Sequence, residues 1–308
     1  MLGRRGMLAS IGSSGSAAMG LAPGSGSESA SAGVGREISR SPNRIITRNG
    51  VSLFWREWGH GAPVLFVHAW ALQSQQWDYQ FAALGDAMRC IGFDRRGHGR
   101  SDCPPRGYDY NTLADDLADV IAALDLSGLT LVGHSMGAAE IVRYLTRHGS
   151  SRITRIVLIA PVLPIIRKTE DNPTGVPEAA LRKLRAAWEA DFPKWVVANT
   201  PPFFAPSTSA ALMQWGSDML LQTPLPVAIA CNRTITDTDF RGELRRIGVP
   251  TLLIHGDHDV SAPIDRTGRP ASELIQGCTF KVYEGAPHGL MFTHAERLHS
   301  DLRAFIGV

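Results

Sequence analysis

Short continuous apolar runs alternate with amphipathic helical stretches along most of this chain. Such runs, bounded by Gly, Pro and polar residues, are typical of strands that are buried on both faces of a sheet. The predicted strands are Ile45–Thr47 and Val51–Trp58, joined by an Asn49-Gly50 turn, then Pro63–His68, Met88–Phe93, Leu129–Val132, Ile153–Ala160, Pro250–His255 and Thr279–Glu284. The predicted helices cover Gln75–Leu84, a stretch from a capping box at Thr112 and Asp115 to Leu124, a stretch from Ala138, and Thr293–Phe305. Strands that alternate with helices in this way predict an α/β fold with a mostly parallel, doubly wound sheet.

The alternation is interrupted in the second half of the chain. Residues 162–246 show helical apolar stripes and many aromatic side chains, but no convincing strand. The β pattern resumes after this stretch, and a last helix follows it. We therefore predict a core made of residues 36–161 and 247–308, into which residues 162–246 are inserted as a helical cap.

The N-terminal residues 1–35 differ from the rest in being rich in Gly, Ser and Ala. Arg4-Arg5 resembles the core of a twin-arginine export signal, and Ala30-Ser31-Ala32 resembles a cleavage site. We expect this stretch to be an export signal and a disordered linker, which would place the mature protein in the periplasm or outside the cell. The alternative is a disordered tail on a cytoplasmic protein.

Composition argues against several classes of protein. Of the 308 residues, 44% are hydrophobic and 19% are charged, as in ordinary globular proteins. A net charge of +2, without a basic run interleaved with aromatics, gives no indication of nucleic-acid binding. No apolar run is long enough for a membrane span. The four cysteines are too few for a disulfide scaffold, so Cys90 is predicted to be a buried thiol, with a Cys90–Cys103 bridge as the alternative in an exported protein.

The clearest chemical signal is the pentapeptide Gly133-His134-Ser135-Met136-Gly137. It follows an apolar run and precedes a helical stretch, which is the context that the G-x-S-x-G nucleophile motif requires. A sharp turn at this place would project the Ser135 hydroxyl to where a base can reach it. The start of the following helix would direct the Met136 N–H at the reacting group, as one half of an oxyanion hole.

A serine nucleophile needs a base, and the base needs an acid that orients it. The acid should come next along the chain and the histidine last, each in a loop after a later strand. The last such loop offers His288, and the loop before it offers both Asp257 and Asp259. His255, His258 and the two aspartates could also be imagined as a metal cluster. Their spacing fits no known ligand set, however, and strand alternation should turn His255 to a different face.

A second oxyanion donor is expected in the loop after the Pro63–His68 run. The sequence continues there as Ala69-Trp70-Ala71, and the backbone N–H of Trp70 is the natural donor. Its indole could also form a wall of the acyl pocket. A purely structural role for Trp70 as a core aromatic residue is the alternative, and the two roles are compatible.

These segments together resemble a known superfamily. From about Val51 to Val308 the chain resembles the α/β-hydrolases, and within them the group of cofactor-free haloperoxidases, perhydrolases and aryl esterases. The resemblance rests on the segments FDRRGHGRSD, TLVGHSMGAAEIVRYLTRHG, TLLIHGDHDVSAP and VYEGAPHG. It implies the α/β-hydrolase fold, with its mostly parallel sheet and an inserted helical cap.

The resemblance also implies a role for each candidate residue. The nucleophile, the base, the acid and the two backbone donors that it implies are Ser135, His288, Asp259, Trp70 and Met136. It favours Asp259 over Asp257, because the acid of the family is the last residue of the G-x-x-D loop.

Two departures from the family pattern lie in the oxyanion loop. Ala69 stands where the family usually has Gly, and Ala71 stands where haloperoxidases and perhydrolases usually carry Pro. A proline fixes φ and restricts its neighbour, whereas Ala71 should permit the same backbone conformation without imposing it. We therefore expect peroxide chemistry to be weak compared with hydrolysis.

The sequence as a whole predicts a serine hydrolase that cleaves small-molecule carboxylic esters or lactones through an acyl-enzyme intermediate. No metal or organic cofactor is required for this chemistry. Two alternatives remain at this stage. One is a cofactor-free perhydrolase or haloperoxidase, in which hydrogen peroxide replaces water. The other is a sensor that keeps the triad but signals by cap movement. The sequence names neither the substrate nor the oligomeric state.

Overall fold

A computed structural model describes residues 39–308, so the predicted export segment lies outside the described residues. The described chain contains nine strands in a single sheet. They are β1 (Ser39–Ser41), β2 (Arg44–Ile46), β3 (Ser52–Trp58), β4 (Ala62–Val67), β5 (Met88–Phe93), β6 (Leu129–His134), β7 (Ile153–Ile159), β8 (Thr251–Gly256) and β9 (Thr279–Tyr283).

The strand order is β1-β2-β3-β5-β4-β6-β7-β8-β9. The first three strands pair antiparallel, β3 pairs antiparallel with β5, and all later neighbours are parallel. The mostly parallel, doubly wound sheet predicted from the sequence is thus confirmed. In its register Val67 lies opposite Gly133, and His134 lies opposite Ile159. The loops that follow β4 and β6 therefore emerge side by side at one edge of the sheet.

Helices cover both faces of the sheet. The ten helices of the described chain are α1 (Asp78–Leu84), α2 (Tyr110–Ala123), α3 (Met136–His148), α4 (Glu178–Asn199), α5 (Ala210–Leu221), α6 (Leu225–Asp237), α7 (Arg241–Leu244), α8 (Gly268–Leu274), α9 (Leu290–Thr293) and α10 (Ala295–Ile306). Leu117 of α2 and Ile141 of α3 are buried in the apolar cluster on one face. Phe81 of α1 and Leu302 of α10 are buried in the cluster on the other face.

The stretch between β7 and β8 holds the helices α4 to α7, and its only β contacts in the described chain are two isolated bridges. Helix α4 changes direction at Asp191, whose φ of −162° and ψ of 84° are not helical. Pro193 follows this kink and cannot donate a backbone hydrogen bond to the preceding turn. The Asp191 carboxylate instead accepts a hydrogen bond from Lys194 N at 2.9 Å, which restarts the helix.

One of two local predictions was wrong. The capping box at Thr112 does not form, because α2 already begins at Tyr110 and the Asp109 side chain accepts the hydrogen bond from Thr112 N. The prediction that Cys90 is a buried free thiol is confirmed, and the alternative bridge to Cys103 does not form. None of the helices within residues 39–308 has the length and apolar character that a membrane span requires.

Candidate active site

Ser135 occupies a strained turn between β6 and α3. Its φ of 55° and ψ of −114° lie in a region that non-glycine residues rarely adopt, at a cost of about 1–3 kcal/mol. The two flanking glycines make this turn possible. A Cβ at Gly133 would lie 2.7 Å from Ala138 N, and one at Gly137 would lie 2.4 Å from Val67 O. The backbone is therefore packed too tightly for a side chain at Gly133 or Gly137. Glycine at these two positions allows the sharp turn that holds Ser135 at the edge of the sheet.

His288 and Asp259 are joined by a short hydrogen bond. His288 Nδ1 donates to Asp259 Oδ2 at 2.6 Å, and both residues are buried. The other carboxylate oxygen accepts hydrogen bonds from Ser261 N at 2.9 Å and Ala262 N at 2.7 Å. Burial works to raise the pKa of Asp259, but the neighbouring His288 and His255 outweigh it and lower the pKa below its usual range. Asp259 is therefore ionised and holds the His288 ring in one tautomer.

The two acid candidates have different surroundings. Asp257 accepts hydrogen bonds from its exposed neighbour His258 and from Gly285 N, whereas the hydrogen bond of His288 Nδ1 goes to Asp259. His255 was expected on a different face from its neighbours, and this was wrong for Asp259. Its Nε2 donates to Ala262 O at 2.8 Å and lies 3.2 Å from Asp259 Oδ2. Residues 39–308 contain no group of side chains arranged to hold a metal ion.

The two expected oxyanion donors belong to the start of α3 and to the loop after β4. Met136 is the first residue of α3, and a backbone N–H at this position has no acceptor within the helix. Trp70 lies in the loop after β4 and lines the same cavity as Ser135. Its indole N–H donates to Ala228 O of α6 at 2.8 Å, and its ring stacks on Trp188 of α4 with 4.9 Å between centroids. The indole therefore connects the loop after β4 to α4 and α6, and it forms part of the cavity wall.

Ala71 has a left-handed backbone conformation. Its φ is 54°, whereas proline is restricted to a φ near −65°. Its carbonyl accepts a hydrogen bond from Thr223 Oγ1 at 3.1 Å, which ties the loop to the segment before α6. The loop therefore has a backbone here that a proline could not adopt, which agrees with the expectation that Ala71 does not impose the proline conformation.

A buried ion pair supports the loop that carries Trp70. Arg95 Nε donates to Glu140 Oε2 at 2.7 Å, and both side chains are completely buried. Arg95 also donates to His68 O at 2.8 Å and to Ala69 O at 3.3 Å. Burial raises the pKa of Glu140 to about 6, and Arg95 opposes the shift. Sequence analysis gave Arg95 and Glu140 no role, although a carboxylate among the small and apolar residues of α3 was a usable signal.

A cavity of about 410 Å³ lies between the sheet edge and the helices α4, α5 and α6. Ser135 and His288 line it, so the structure brings the two residues to the same space. Six aromatic side chains contribute to its wall: Trp70, Trp188, Trp195, Phe203, Phe204 and Phe292. No Lys, Arg, Asp or Glu side chain of the described chain lines it. The site is therefore suited to a neutral and largely apolar ligand.

The fold and the strained serine turn define a class of protein. The chain belongs to the α/β-hydrolase family, whose pattern, described as alpha/beta hydrolase fold, matches residues 62–295. The predicted similarity to cofactor-free haloperoxidases is also confirmed. Non-heme chloroperoxidase CPO-A1 of Kitasatospora aureofaciens is 37% identical over 268 residues, which cover 84% of this chain and 98% of the relative.

Other relatives carry esterase names. The bifunctional esterase/perhydrolase DCH of Acinetobacter calcoaceticus is 34% identical, with 85% of this chain and 98% of the relative covered. Among solved structures, a bromoperoxidase from Bacillus anthracis is 32% identical with a TM-score of 0.81, covering 84% of this chain and 96% of its own. An esterase from Exiguobacterium antarcticum is 29% identical with a TM-score of 0.83, covering 87% and 100%. These similarities support hydrolase activity.

Proposed function

We propose that the protein is a serine hydrolase that cleaves carboxylic esters or lactones through an acyl-enzyme intermediate. The observation that carries the proposal is that Ser135, on its strained turn, and His288, bonded to Asp259, line one apolar cavity. Because His288 Nδ1 donates to Asp259, Nε2 is the nitrogen that is free to accept the Ser135 proton. This arrangement is what activation of a serine hydroxyl requires.

The proposed reaction proceeds in two halves. Ser135 Oγ attacks the acyl carbonyl while its proton moves to His288 Nε2, and the negative oxygen is stabilised by the N–H groups of Met136 and Trp70. The C–O bond to the alcohol then breaks, and His288 gives its proton to the leaving oxygen. In the second half, water attacks the acyl-enzyme by the same route, which releases the acid and restores Ser135.

The cavity favours neutral esters with a bulky apolar group. The polar side chains in its wall, besides Ser135 and His288, are the amides and hydroxyls of Asn199, Thr200, Asn232, Thr236 and Ser261. None of these carries a charge, so a carboxylate on the substrate would lose its water without gaining an ionic partner. Lactones and aryl esters without charged groups are therefore the substrate class that we propose.

A matched panel of three aryl esters tests both the activity and this substrate class. The esters should be identical except for a distal hydrogen, carboxamide or carboxylate. We expect kcat/KM for the uncharged pair to exceed that for the carboxylate by roughly 10- to 100-fold, because a buried charge lacks a partner. The carboxamide controls for size. Equal kcat/KM across the panel would contradict the substrate class. Absence of turnover, with Ser135 still reactive, would favour the sensor alternative.

Perhydrolysis is the second candidate, and the similarity to non-heme chloroperoxidases and to an esterase/perhydrolase supports it. In this reaction hydrogen peroxide attacks the acyl-enzyme in place of water, and the product is a peracid. We rank it below hydrolysis because Ala71 occupies the place where such enzymes usually carry proline. The left-handed conformation of Ala71 gives this loop a backbone that a proline could not adopt.

We expect the wild-type protein to hydrolyse aryl esters faster than it forms peracid from acetate and peroxide. Ala71→Pro should lower both rates by roughly 10- to 100-fold, because the loop must leave its present conformation and displace Trp70 N–H. Ala71→Gly is the control, and it should retain both activities since glycine accepts a positive φ. A stable Ala71→Pro variant with a raised ratio of peracid formation to hydrolysis would contradict this assignment. Equal wild-type rates would place perhydrolysis first.

A further inference from the structure

A buried chain of hydrogen bonds crosses beneath Ser135. At one end, Ala69 N donates to Gln76 Oε1 at 3.0 Å. Gln76 Nε2 lies 3.1 Å from His134 Nδ1, and His134 Nε2 lies 3.1 Å from His288 O. Gln76 and His134 are fully buried, and Ala69 and His288 are nearly so. The side chains of Gln76 and His134 thus connect the loop that carries Trp70 with the loop that carries the proposed base.

The direction of this chain is fixed by its two ends. A backbone N–H can only donate, so the oxygen of the Gln76 amide faces Ala69 and its NH₂ group faces His134. A backbone carbonyl can only accept, so His134 carries its proton on Nε2 and accepts at Nδ1. Every group in the chain therefore has a partner of the correct kind, and one tautomer of His134 satisfies them all.

The surroundings keep His134 neutral. Burial lowers the pKa of His134 well below its usual value, and the neighbouring His288 and His255 lower it further, while Asp259 acts in the opposite direction. The His134 ring also packs against the His288 ring, with 4.7 Å between their centroids. A neutral imidazole in this position cannot serve as a second base towards Ser135, because both of its nitrogens are engaged.

We propose that Gln76 and His134 are positioning residues that hold the oxyanion loop and the base loop at a fixed spacing across the serine turn. The inference rests on the proposed serine hydrolase function. Ala69 directly precedes Trp70, whose N–H is the proposed donor, and the anchored carbonyl belongs to His288 itself. A shift of either loop would move one of the two groups that must meet at the reacting carbonyl, and misplacement by 1 Å can cost about 100-fold in rate.

Gln76→Met tests the chain by removing both hydrogen bonds with little change in volume. We expect kcat for aryl esters to fall by roughly 10- to 100-fold, with KM little changed, because the loops lose their spacing and the cavity wall remains. Gln80→Met is the matched control. Gln80 is equally buried, and its Nε2 donates to Met291 O of α9 at 2.8 Å and lies 3.3 Å from His299 Nε2 of α10, so it bonds to neither Ala69 nor His288. We expect the Gln80→Met variant to lose about as much stability as Gln76→Met and to keep the kcat of the wild type.

Gln76→Glu tests the direction of the chain. A carboxyl group that keeps its proton can accept from Ala69 N and donate towards His134, as the amide does. Once the proton is lost, both oxygens only accept, so His134 must place its proton on Nδ1 and leave Nε2 bare against His288 O. We expect kcat of this variant to fall reversibly on the alkaline side by roughly tenfold, at pH values where wild type stays constant.

The ring nitrogens of His134 provide a readout that does not depend on turnover. Nitrogen-15 NMR of the wild type should show the proton on Nε2, and Gln76→Glu should move it to Nδ1 at alkaline pH. A wild-type proton on Nδ1 would overturn the inferred direction. If wild type hydrolyses esters and Gln76→Met retains full kcat, the positioning role is wrong while the proposed function stands. If wild type neither hydrolyses esters nor reacts with a fluorophosphonate, the proposed function fails.

Discussion

Replacing Ser135 with alanine should abolish ester hydrolysis. The loss in kcat should be roughly 10⁶-fold, as for removal of the nucleophile in a serine protease, with only catalysis by the remaining oxyanion donors left. A fluorophosphonate probe should add to Ser135 of the wild type, which intact-protein and peptide mass spectrometry would detect. The variant should remain unlabelled, because no other hydroxyl within residues 39–308 combines a strained turn with a histidine in the same cavity.

Ser261→Ala provides the matched control for this experiment. Ser261 lines the same cavity, and it contacts Asp259 only through its backbone N–H, which alanine retains. This variant should keep both labelling and hydrolysis. Labelling that persists in Ser135→Ala would contradict the mechanism, and loss of labelling in both variants would point to a damaged cavity rather than a missing nucleophile.

The sheet was predictable because its signals are local. Buried parallel strands are short apolar runs, and the glycines on both sides of Ser135 mark the sharp turn. Each such signal lies within a few neighbouring residues, so one sequence is enough to find it. The chemical roles of Ser135, His288 and Asp259 stay predictions, although their placement in one site agrees with them.

The supporting contacts could not be predicted, because they join residues that are distant in the sequence. Gln76 meets His134 across 58 positions, and Arg95 meets Glu140 across 45. Neither pair has a spacing that a motif could reveal. The backbone conformation of Ala71 was unpredictable for a different reason. A positive φ is signalled by glycine or asparagine, and an alanine in that conformation gives no sign of it in the sequence.

The local sequence pattern also could not decide which of the two aspartates is the acid. Asp257 and Asp259 both follow β8, and only the family resemblance favoured the second. The structure separates them by what surrounds each carboxylate. Asp257 faces the surface and fixes the backbone at Gly285, while Asp259 is buried against His288.

Asp259→Asn should therefore lower kcat by about 10⁴-fold, as for the equivalent change in a serine protease, and Asp257→Asn should stay close to wild type. The asparagine can keep accepting from Ser261 N and Ala262 N through its oxygen, so the loop should remain folded. Its NH₂ group would then face His288 Nδ1 and force the ring proton onto Nε2, which can no longer accept the Ser135 proton. Steady-state hydrolysis of an aryl ester, together with thermal melts of both variants, measures this. If Asp257→Asn is the crippled variant and Asp259→Asn turns over normally, the acid has been assigned to the wrong residue, and the hydrogen bond between Asp259 and His288 has only a structural role.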